Sequence, residues 1–507
     1  VTWGEALDAA AAALAGARKG GKSIGVLGSA RATNEENYLV VRLARGALGT
    51  GDLDSCLRNT YWPLARGIAR GGAPFGRLTD VEGSEVVIVF DGDLACSHPR
   101  AAFAVMRAVA RGARLVTISC TRTQLARLAA LHVPVPPGGQ QGVVGGLIAS
   151  VVEAGGAEGV PEGWPLELLA ELAEEVKEAG RWYMQAERAS LVVAPEVVIG
   201  NSAEAFGTAL GVLARASGHS GRPGSVLLPL PVRWNLRGAC EMGVAPDVLP
   251  GGASLEDAAS LGQLGEAWGR EPAAAAGRDA TTMIGAVGGL VVMAEDPPSV
   301  LRDRRAAREK LAELDCLVAL DAFMTATATA AHVVLPVASH AENVGTCTSA
   351  DGRVQRVRPC APPPGSARPG WHVLAELSAR LGLPSEFTSV DEVLDEIRRV
   401  VPGYEGLDER ALEESWGAVI VPRGDARPVD SAPRFGEPPR VSGDASHLLA
   451  LDGVFDWGSD PLVAFAPTLS RDFVSRRKQF AGGLVEMASE DARALGVRPG
   501  WPVRIES

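Results

Sequence analysis

Glu85–Ile118 reads EVVIVFDGDLACSHPRAAFAVMRAVARGARLVTI. Glu85–Phe90 is a short apolar, β-branched run, the pattern of a strand buried on both faces. Pro99–Arg111 follows with helical spacing, placing Phe103, Met106 and Val109 or Ala110 on one face. Leu115–Ile118 is again a buried-strand pattern. Two strands joined by a helix of this length must run parallel, because a tight hairpin is excluded.

The same unit recurs on either side. Ser23–Gly28 (SIGVLG) is a strand, and a helix begins at Thr33, where Thr33 and Glu36 have capping-box spacing. Leu191–Val193 and Val226–Leu228 flank a helix at Ala203–Ala216. Leu290–Met293, a helix near Val300–Leu314, and Cys316–Leu320 repeat the pattern. The expected fold class is α/β, with doubly wound parallel sheets covered by helices on both faces.

With 507 residues, the chain is long enough for about three domains with self-sufficient cores. The N-terminus, VTWGEALDAAAAALAGARKGGKS, reads as an amphipathic helix with a basic end rather than a signal peptide. No apolar run is long enough to cross a bilayer. The sequence starts at Val1, and it is expected to be part of something longer. From about Val421 to Ser446 it is rich in Pro, Arg, Asp and Gly, which reads as a linker, assigned to 426–446. Leu448–Ser507 changes character and reads as β-rich with one short helix, ending on the strand Val503–Glu506.

A net charge of −12 excludes an extended nucleic-acid surface, which needs clustered cations, and the short run Arg476–Lys478 reads as a solvated face. The seven cysteines (Cys56, Cys96, Cys120, Cys240, Cys316, Cys347, Cys360) include no CxxC pair, so spacing offers neither a zinc site nor an iron–sulfur ligand set. They read as reduced, mostly buried thiols.

Ligands of open parallel sheets sit beyond the carboxyl ends of the strands. The loops there are Gly28–Thr33, Asp91–Pro99, Ser119–Thr123, Pro136–Gln140, Arg233–Gly243, Ala294–Pro297 and Asp321–Thr329. Most mix Gly with small polar residues, as close backbone approach to phosphate requires. Each alone is a turn; together they point to a nucleotide-like ligand.

Longer strings carry a resemblance. Ser29–Asp54 (SARATNEENYLVVRLARGALGTGDLD), Arg237–Gly251 (RGACEMGVAPDVLPG), Leu317–Val357 with DAFMTATATAAHVVLP and AENVGTCTSADGRVQRV, and Val485–Val503 resemble the molybdopterin oxidoreductase family. The likeness is to its formate dehydrogenase alpha and NADH:quinone oxidoreductase G branches. The resemblance implies two α/β lobes followed by the start of a β-barrel cap. Residues 1–425 would form the α/β region: lobe one from about 1–57 plus 234–340, lobe two from about 58–232, and a helical remainder over 341–425. Residues 447–507 would begin the barrel. The implied cofactor is bis(molybdopterin guanine dinucleotide) with Mo or W. Iron–sulfur clusters are expected only in a preceding region or a partner, and no metal ligand is assigned on this chain.

By the resemblance, Ser97, His98 and Pro99 match one dinucleotide loop and Gly138 a second. Asn235, Gly238, Glu241, Met242 and Gly243 match a third. Asp296 matches an acidic turn, and Asp321, Thr325 and Thr327 a polar rim. Glu342, Gly345, Thr346, Arg353 and Gln355 match a later loop. Other positions depart: an Asp-Pro-Arg is here Ser119, Cys120 and Thr121, an acid is Gln140, a Gly is Ala294, and an Asp is His332. The formate dehydrogenase metal ligand and the His after it fall on Thr60 and Tyr61, with Cys56 four residues early. The formate-positioning Arg falls on Pro231, two residues from Arg233. An alcohol is a poor ligand for a soft metal, and a formate anion needs a fixed cation.

Two readings stay open. One is a large-subunit module of an electron-transfer complex, most like the G subunit of NADH:quinone oxidoreductase, with an altered, inactive molybdenum site; Leu451–Arg471 resembles that subunit's C-terminal portion. The other is an active molybdopterin-dependent oxidoreductase resembling formate dehydrogenase alpha. A generic nucleotide-binding doubly wound protein is the third and weakest. The first two imply partner subunits and a cytoplasmic location, peripheral on the inner membrane through those partners. Bland readings stand beside them: His98 or Asp321 as helix caps, His332 as a surface or core residue, Cys56 as a buried thiol, Trp62 and Trp234 as packing anchors.

Overall fold

The structure is a computed structural model that describes residues 1–156, 159–161, 173–198, 202–407, 409–414, 419–420, 487 and 489–503. The chain divides into two units, Val1–Ala450 and Leu451–Ser507.

The first unit carries β1 (Ile24–Leu27), β2 (Leu53–Asp54), β3 (Val86–Phe90), β4 (Arg114–Ser119), β5 (Leu131–Pro134), β6 (Ala189–Val193) and β7 (Val226–Pro229). It continues with β8 (Gly289–Met293), β9 (Cys316–Asp321), β10 (Val333–Pro336), β11 (Gly345–Thr348), β12 (Arg353–Val357) and β13 (Val419–Ile420). Two five-stranded sheets result, ordered β10-β9-β8-β1-β2 and β5-β4-β3-β6-β7. Every pairing in both is parallel. The strands expected between Ser23 and Leu320 are all present, with ends that differ from the expected runs by one or two residues.

The central strands β3 and β8 are buried along their whole length, with apolar clusters on each face of each sheet. Helices cover both faces, as the continuous apolar strands require.

The expected face of helix Pro99–Ala110 is displaced. Ala101, Ala102, Ala104, Val105 and Ala108 point inward, whereas Phe103 is 59% exposed. Alanines let the helix lie close on the sheet, and bulk proved a worse guide than small size. Residues 341–425, expected to be helical, do contain helices Gly370–Arg380, Val390–Val400 and Glu409–Glu414, but they also form a three-stranded antiparallel sheet, β11-β12-β13. Ser349–Gly352 turns between its first two strands, with Gly352 at φ 82°. The helix expected near Val300–Leu314 is broken into Pro297–Val300 and Arg304–Ala312, because Asp303 accepts the Ala306 N–H at 2.8 Å and caps the second.

Two devices hold the sheets' flanking helices. In the region of β1 and β2, Arg45 is fully buried in the π-helical turn Arg42–Leu48. Its guanidinium donates to the carbonyls of Ala273, Ala275, Ala245, Pro246 and Val248. Beside β6 and β7, helices Trp62–Arg70 and Ala203–Ala216 pack backbone on backbone. A Cβ on Gly67 would collide with Glu204 O, and one on Gly207 with Leu64 O.

In the second unit the described residues include helix Ser489–Ala494, with Glu490 and Asp491 in its first turn, and Arg498 over the Trp501 ring. The expected linker 426–446, the strand Val503–Glu506 beyond its first residue, and most of the expected barrel segment lie outside the described residues.

Candidate functional site: two strand-end crevices

Both sheets change winding direction at their middle, between β8 and β1 in one and between β3 and β6 in the other. Such a switch point splits the flanking loops and opens a crevice at the carboxyl ends of the strands. In both sheets the residue just after the central strand is left-handed: Ala294 at φ 48° and Asp91 at φ 52°. Each donates its N–H to the same register position of the next strand, Ala294 to Leu320 O and Asp91 to Ile118 O, both at 2.8 Å.

The β8/β1 crevice gathers charge of both signs. Arg31, in the loop after β1, lies 3.5 Å from the Asp321 carboxylate at the end of β9. Arg31 Nη2 and Asp321 Oδ2 are buried and make no hydrogen bond to the described residues. Glu295 is 3% exposed, accepts from Ser55 Oγ at 3.2 Å, and burial raises its pKa to about 7 despite Arg31 and Arg233 nearby. Burial likewise raises that of Asp321. Asp296 accepts from the N–H and hydroxyl of Thr327 at 3.0 and 2.6 Å, and from Ser299. Thr325 caps helix Ala326–Ala330. Thus Asp296, Asp321, Thr325 and Thr327, singled out from sequence, converge here. At 5.7 Å, the rings of Trp234 and His340 form a tilted pair.

The β3/β6 crevice is differently composed. Asp91 is 6% exposed; its carboxylate accepts the Cys120 N–H at 3.2 Å and the Gln140 side-chain amide. Gln140 also reaches Cys120 Sγ at 3.4 Å. Burial raises Asp91 to about 6 and the Cys120 thiol to about 11. Glu196, after β6, is raised by burial and by Asp91 and Asp93. His98 is tied down at both ring nitrogens, to Ser97 Oγ at 3.0 Å and to Pro231 O at 2.9 Å, and burial lowers its pKa. Ser97 Oγ bonds Asp93 O, Pro99 starts its helix, and Gly138 sits at φ 82°.

Thr60 donates its hydroxyl to Leu57 O at 2.6 Å. Tyr61 is fully buried in an apolar cluster with Ala30, Trp62, Leu236 and Val248. The Pro231 carbonyl is the His98 acceptor. Cys56 packs partly buried against Leu27, Met283 and Leu290, with Glu295, Asp54 and Asp296 near, and burial lifts its pKa well above the thiol range. It is held as a thiol, not a thiolate. The loop it lies in is anchored by Arg58, which donates to Asp54 at 2.5 and 3.3 Å.

Several sequence-derived positions are engaged in contacts within the fold. Asn235 donates to Ala32 O and accepts from Thr348 N, both at 2.8 Å. Glu241 takes Arg237 at 2.7 Å and Tyr404 at 2.8 Å. Met242 is in the core, Gly243 turns at φ 91°, and a Cβ on Gly238 would strike Asn34. The Thr346 N–H and hydroxyl both bond Glu35 at 2.8 Å, and Gly345 leaves room for that carboxylate. Glu342 caps Ser339 N at 2.9 Å, Arg353 lies 3.9 Å from Asp351, and Gln355 pairs with Cys347 across β11 and β12. Thr346 and Gly345 thereby fasten the β-hairpin onto helix Asn34–Val41.

Sequence reading passed over Arg31, Ser55, Asp91 and Glu295 as individual residues. A signal existed: each stands in the strand-end loop or directly beside a residue that was named, and Glu295 precedes Asp296.

Comparison with known proteins agrees with this geometry. The family model described as molybdopterin oxidoreductase matches residues 1–380. The F420-dependent formate dehydrogenase 2 subunit alpha of Methanococcus maripaludis is 29% identical over 100% of this chain and 80% of its own length. Formate dehydrogenase H of Escherichia coli is 29% identical over 86% of this chain and 65% of its own length. Other formate dehydrogenase alpha subunits are likewise spanned over less than two thirds of their length, 64% and 65% in two cases. In fold, the chain is similar to the acetylene hydratase of Pelobacter acetylenicus, with TM-score 0.61 at 17% identity, covering 83% of this chain and 64% of the other. The matched sequence and the paired parallel sheets agree, and the chain belongs to the molybdopterin oxidoreductase family.

Proposed function

We propose that this chain is the large subunit of an electron-transfer complex in which it does not oxidise formate, acting in the manner of the G subunit of NADH:quinone oxidoreductase. The observation that carries this is the state of the three reaction-centre positions. Thr60 spends its hydroxyl on a backbone carbonyl, Tyr61 is core, and Pro231 supplies no cation. Cys56, four positions before the metal-ligand position, packs against the apolar cluster of Leu27 and Met283. The residues present do not fit a formate-oxidising metal centre.

A second reading has its own support. The β8/β1 crevice suits the dinucleotide end of a pterin cofactor: a carboxylate can accept two N–H groups of a guanine edge, and a guanidinium can take phosphate. Asp321 and Arg31 hold such atoms without a hydrogen-bond partner among the described residues. The β3/β6 crevice suits it less, because its unbonded acid oxygens, on Asp93 and Glu196, have no ion-paired guanidinium among the described residues to share a phosphate with. On this second reading the chain carries Mo or W with pterin and acts on another small substrate. Iron–sulfur clusters belong on either reading to a preceding region or a partner. Attachment to the cytoplasmic side of a membrane is through partners; no helix among the described residues is long and apolar enough to span one.

The test is elemental analysis and oxidised-pterin fluorescence of the isolated complex, from a host that loads a control formate dehydrogenase, together with formate-dependent dye reduction. No molybdenum or tungsten, no pterin and no formate turnover are expected. Stoichiometric metal with pterin but no formate turnover selects the second reading. Formate turnover near that of the control overturns the main one.

A further inference from the structure

We infer that the outer helix Arg304–Ala312 and the turn before it form a docking face for an acidic protein subunit. The inference rests on the reading of this chain as one subunit of a complex, but on none of the crevice chemistry. Residues 302–310 read RDRRAAREK, with five basic and two acidic residues in a chain whose net charge is −12. Arg302, Arg304, Arg305, Arg308 and Lys310 are all exposed, while Ala307 and Leu311 anchor the helix beneath them. Arg305 remains 89% exposed even while paired with Glu309 at 2.8 Å. Among the described residues, no carboxylate lies within ion-pair reach of Arg302, Arg304 or Arg308.

An exposed charged helix is ordinarily just solvated, and three features set this one apart. First, helix stability opposes the placement. A helix N-terminus disfavours cations and i,i+4 like charges repel, yet Arg304 and Arg305 occupy the first turn and Arg304 stands four before Arg308. Helices Trp3–Lys19, Glu174–Gln185 and Val390–Val400 place acids in the first turn instead. Second, the cations are arginines, which are enriched at protein interfaces where lysine is depleted. The one lysine, Lys310, lays its stem over Gly285. Third, helix Arg304–Ala312 packs against helix Ala326–Ala330, and Met324, in the loop entering that helix, is 59% exposed. An exposed Met beside arginines is the composition of an interface centre with a charged rim. Opposite charge on the partner would speed encounter and fix register.

The test compares the complex assembled around the natural chain with that around R302E/R304E/R308E and around the neutral R302Q/R304Q/R308Q. Salt-dependent subunit dissociation and hydrogen exchange over residues 302–312 are the readouts. The helix should be protected in the intact complex. The reversed chain should lose one acidic subunit at least tenfold more readily, with the neutral chain intermediate and neither variant melting below the natural chain. Exchange unchanged between free and assembled chain, with equal dissociation of all three, would overturn the proposal. So would protection produced instead by a second copy of this chain, by DNA, or by phosphatidylglycerol vesicles. Metal, pterin and dye-reduction assays are expected to be indifferent to these substitutions, so failure here leaves the functional reading standing and the reverse.

Discussion

The two parallel sheets are built on one plan and finished differently. If β8, β9, β10, β1 and β2 are taken in that order, they correspond to β3, β4, β5, β6 and β7, so one sheet is a circular permutation of the other. Even the backbone agrees, down to the left-handed residue after the central strand. The side chains do not. The β8/β1 crevice pairs buried acids with Arg31 and leaves Arg31 Nη2 and Asp321 Oδ2 without hydrogen bonds. In the β3/β6 crevice Asp93 Oδ1 and Glu196 Oε2 are also buried without a hydrogen bond, but among the described residues no guanidinium is ion-paired to them or to Asp91, whose carboxylate takes an amide and a backbone N–H. Shared topology therefore fixes where a ligand can sit, and local donors decide which crevice is ready for one.

The largest expected effect breaks the first sheet alone. Arg45→Met leaves several buried carbonyls without their donor, and a single such group costs about 1–3 kcal/mol. A loss of roughly 4 kcal/mol is expected by denaturant unfolding, with exchange protection falling around β1 and β8 before β3. Equal loss in both sheets would mean they unfold as one. The matching break in the other sheet is Gly207→Ala, which forces apart helices in backbone contact. About 2–3 kcal/mol is expected from overpacking, with protection lost first around β6 and β7.

A smaller effect lies in pH. Burial raises Glu35 and Glu295 to about 7 from 4.5. The folded state then holds protons that the unfolded chain has released, so stability falls as pH rises between about 4.5 and 7. Each carboxyl contributes on the order of 1–3 kcal/mol across that window. Glu35→Gln should flatten the fall measured by thermal melting, and an unchanged slope would show that Glu35 is ionised throughout. The smallest change is Ala294→Gly. Ala294 holds φ 48°, which costs a non-glycine residue about 1 kcal/mol. A gain of roughly 0.5–1 kcal/mol is expected, and a loss would mean that the methyl packs more than it strains.

What the sequence made legible follows from these contrasts. Fully buried parallel strands read as unbroken β-branched runs, so Val86–Phe90 and Gly289–Met293 were plain. The capping box at Thr33 was legible because both of its bonds are local. The hairpin Gly345–Val357 was not, since its stability comes from Glu35 and Asn34, more than 300 positions away. Thr346, Glu241 and Asn235 were read as ligand residues from the resemblance, and the sequence did not show that their side chains also engage distant parts of the chain, at Glu35, Tyr404 and Ala32. At the crevices, Asp296 and Asp321 were legible as strand-end acids. Arg31 was passed over because only the fold brings it opposite Asp321.

The difference between the crevices can be tested directly with guanosine diphosphate, the guanosine and pyrophosphate portion of the family's cofactor, added to the purified chain and followed by hydrogen exchange. Protection is expected in Gly28–Thr33, Ala294–Val300 and Asp321–Thr325, with Asp91–Pro99 and Ser119–Thr123 unchanged. Protection confined to the latter two segments, or none in either crevice at saturating ligand, would contradict the assignment.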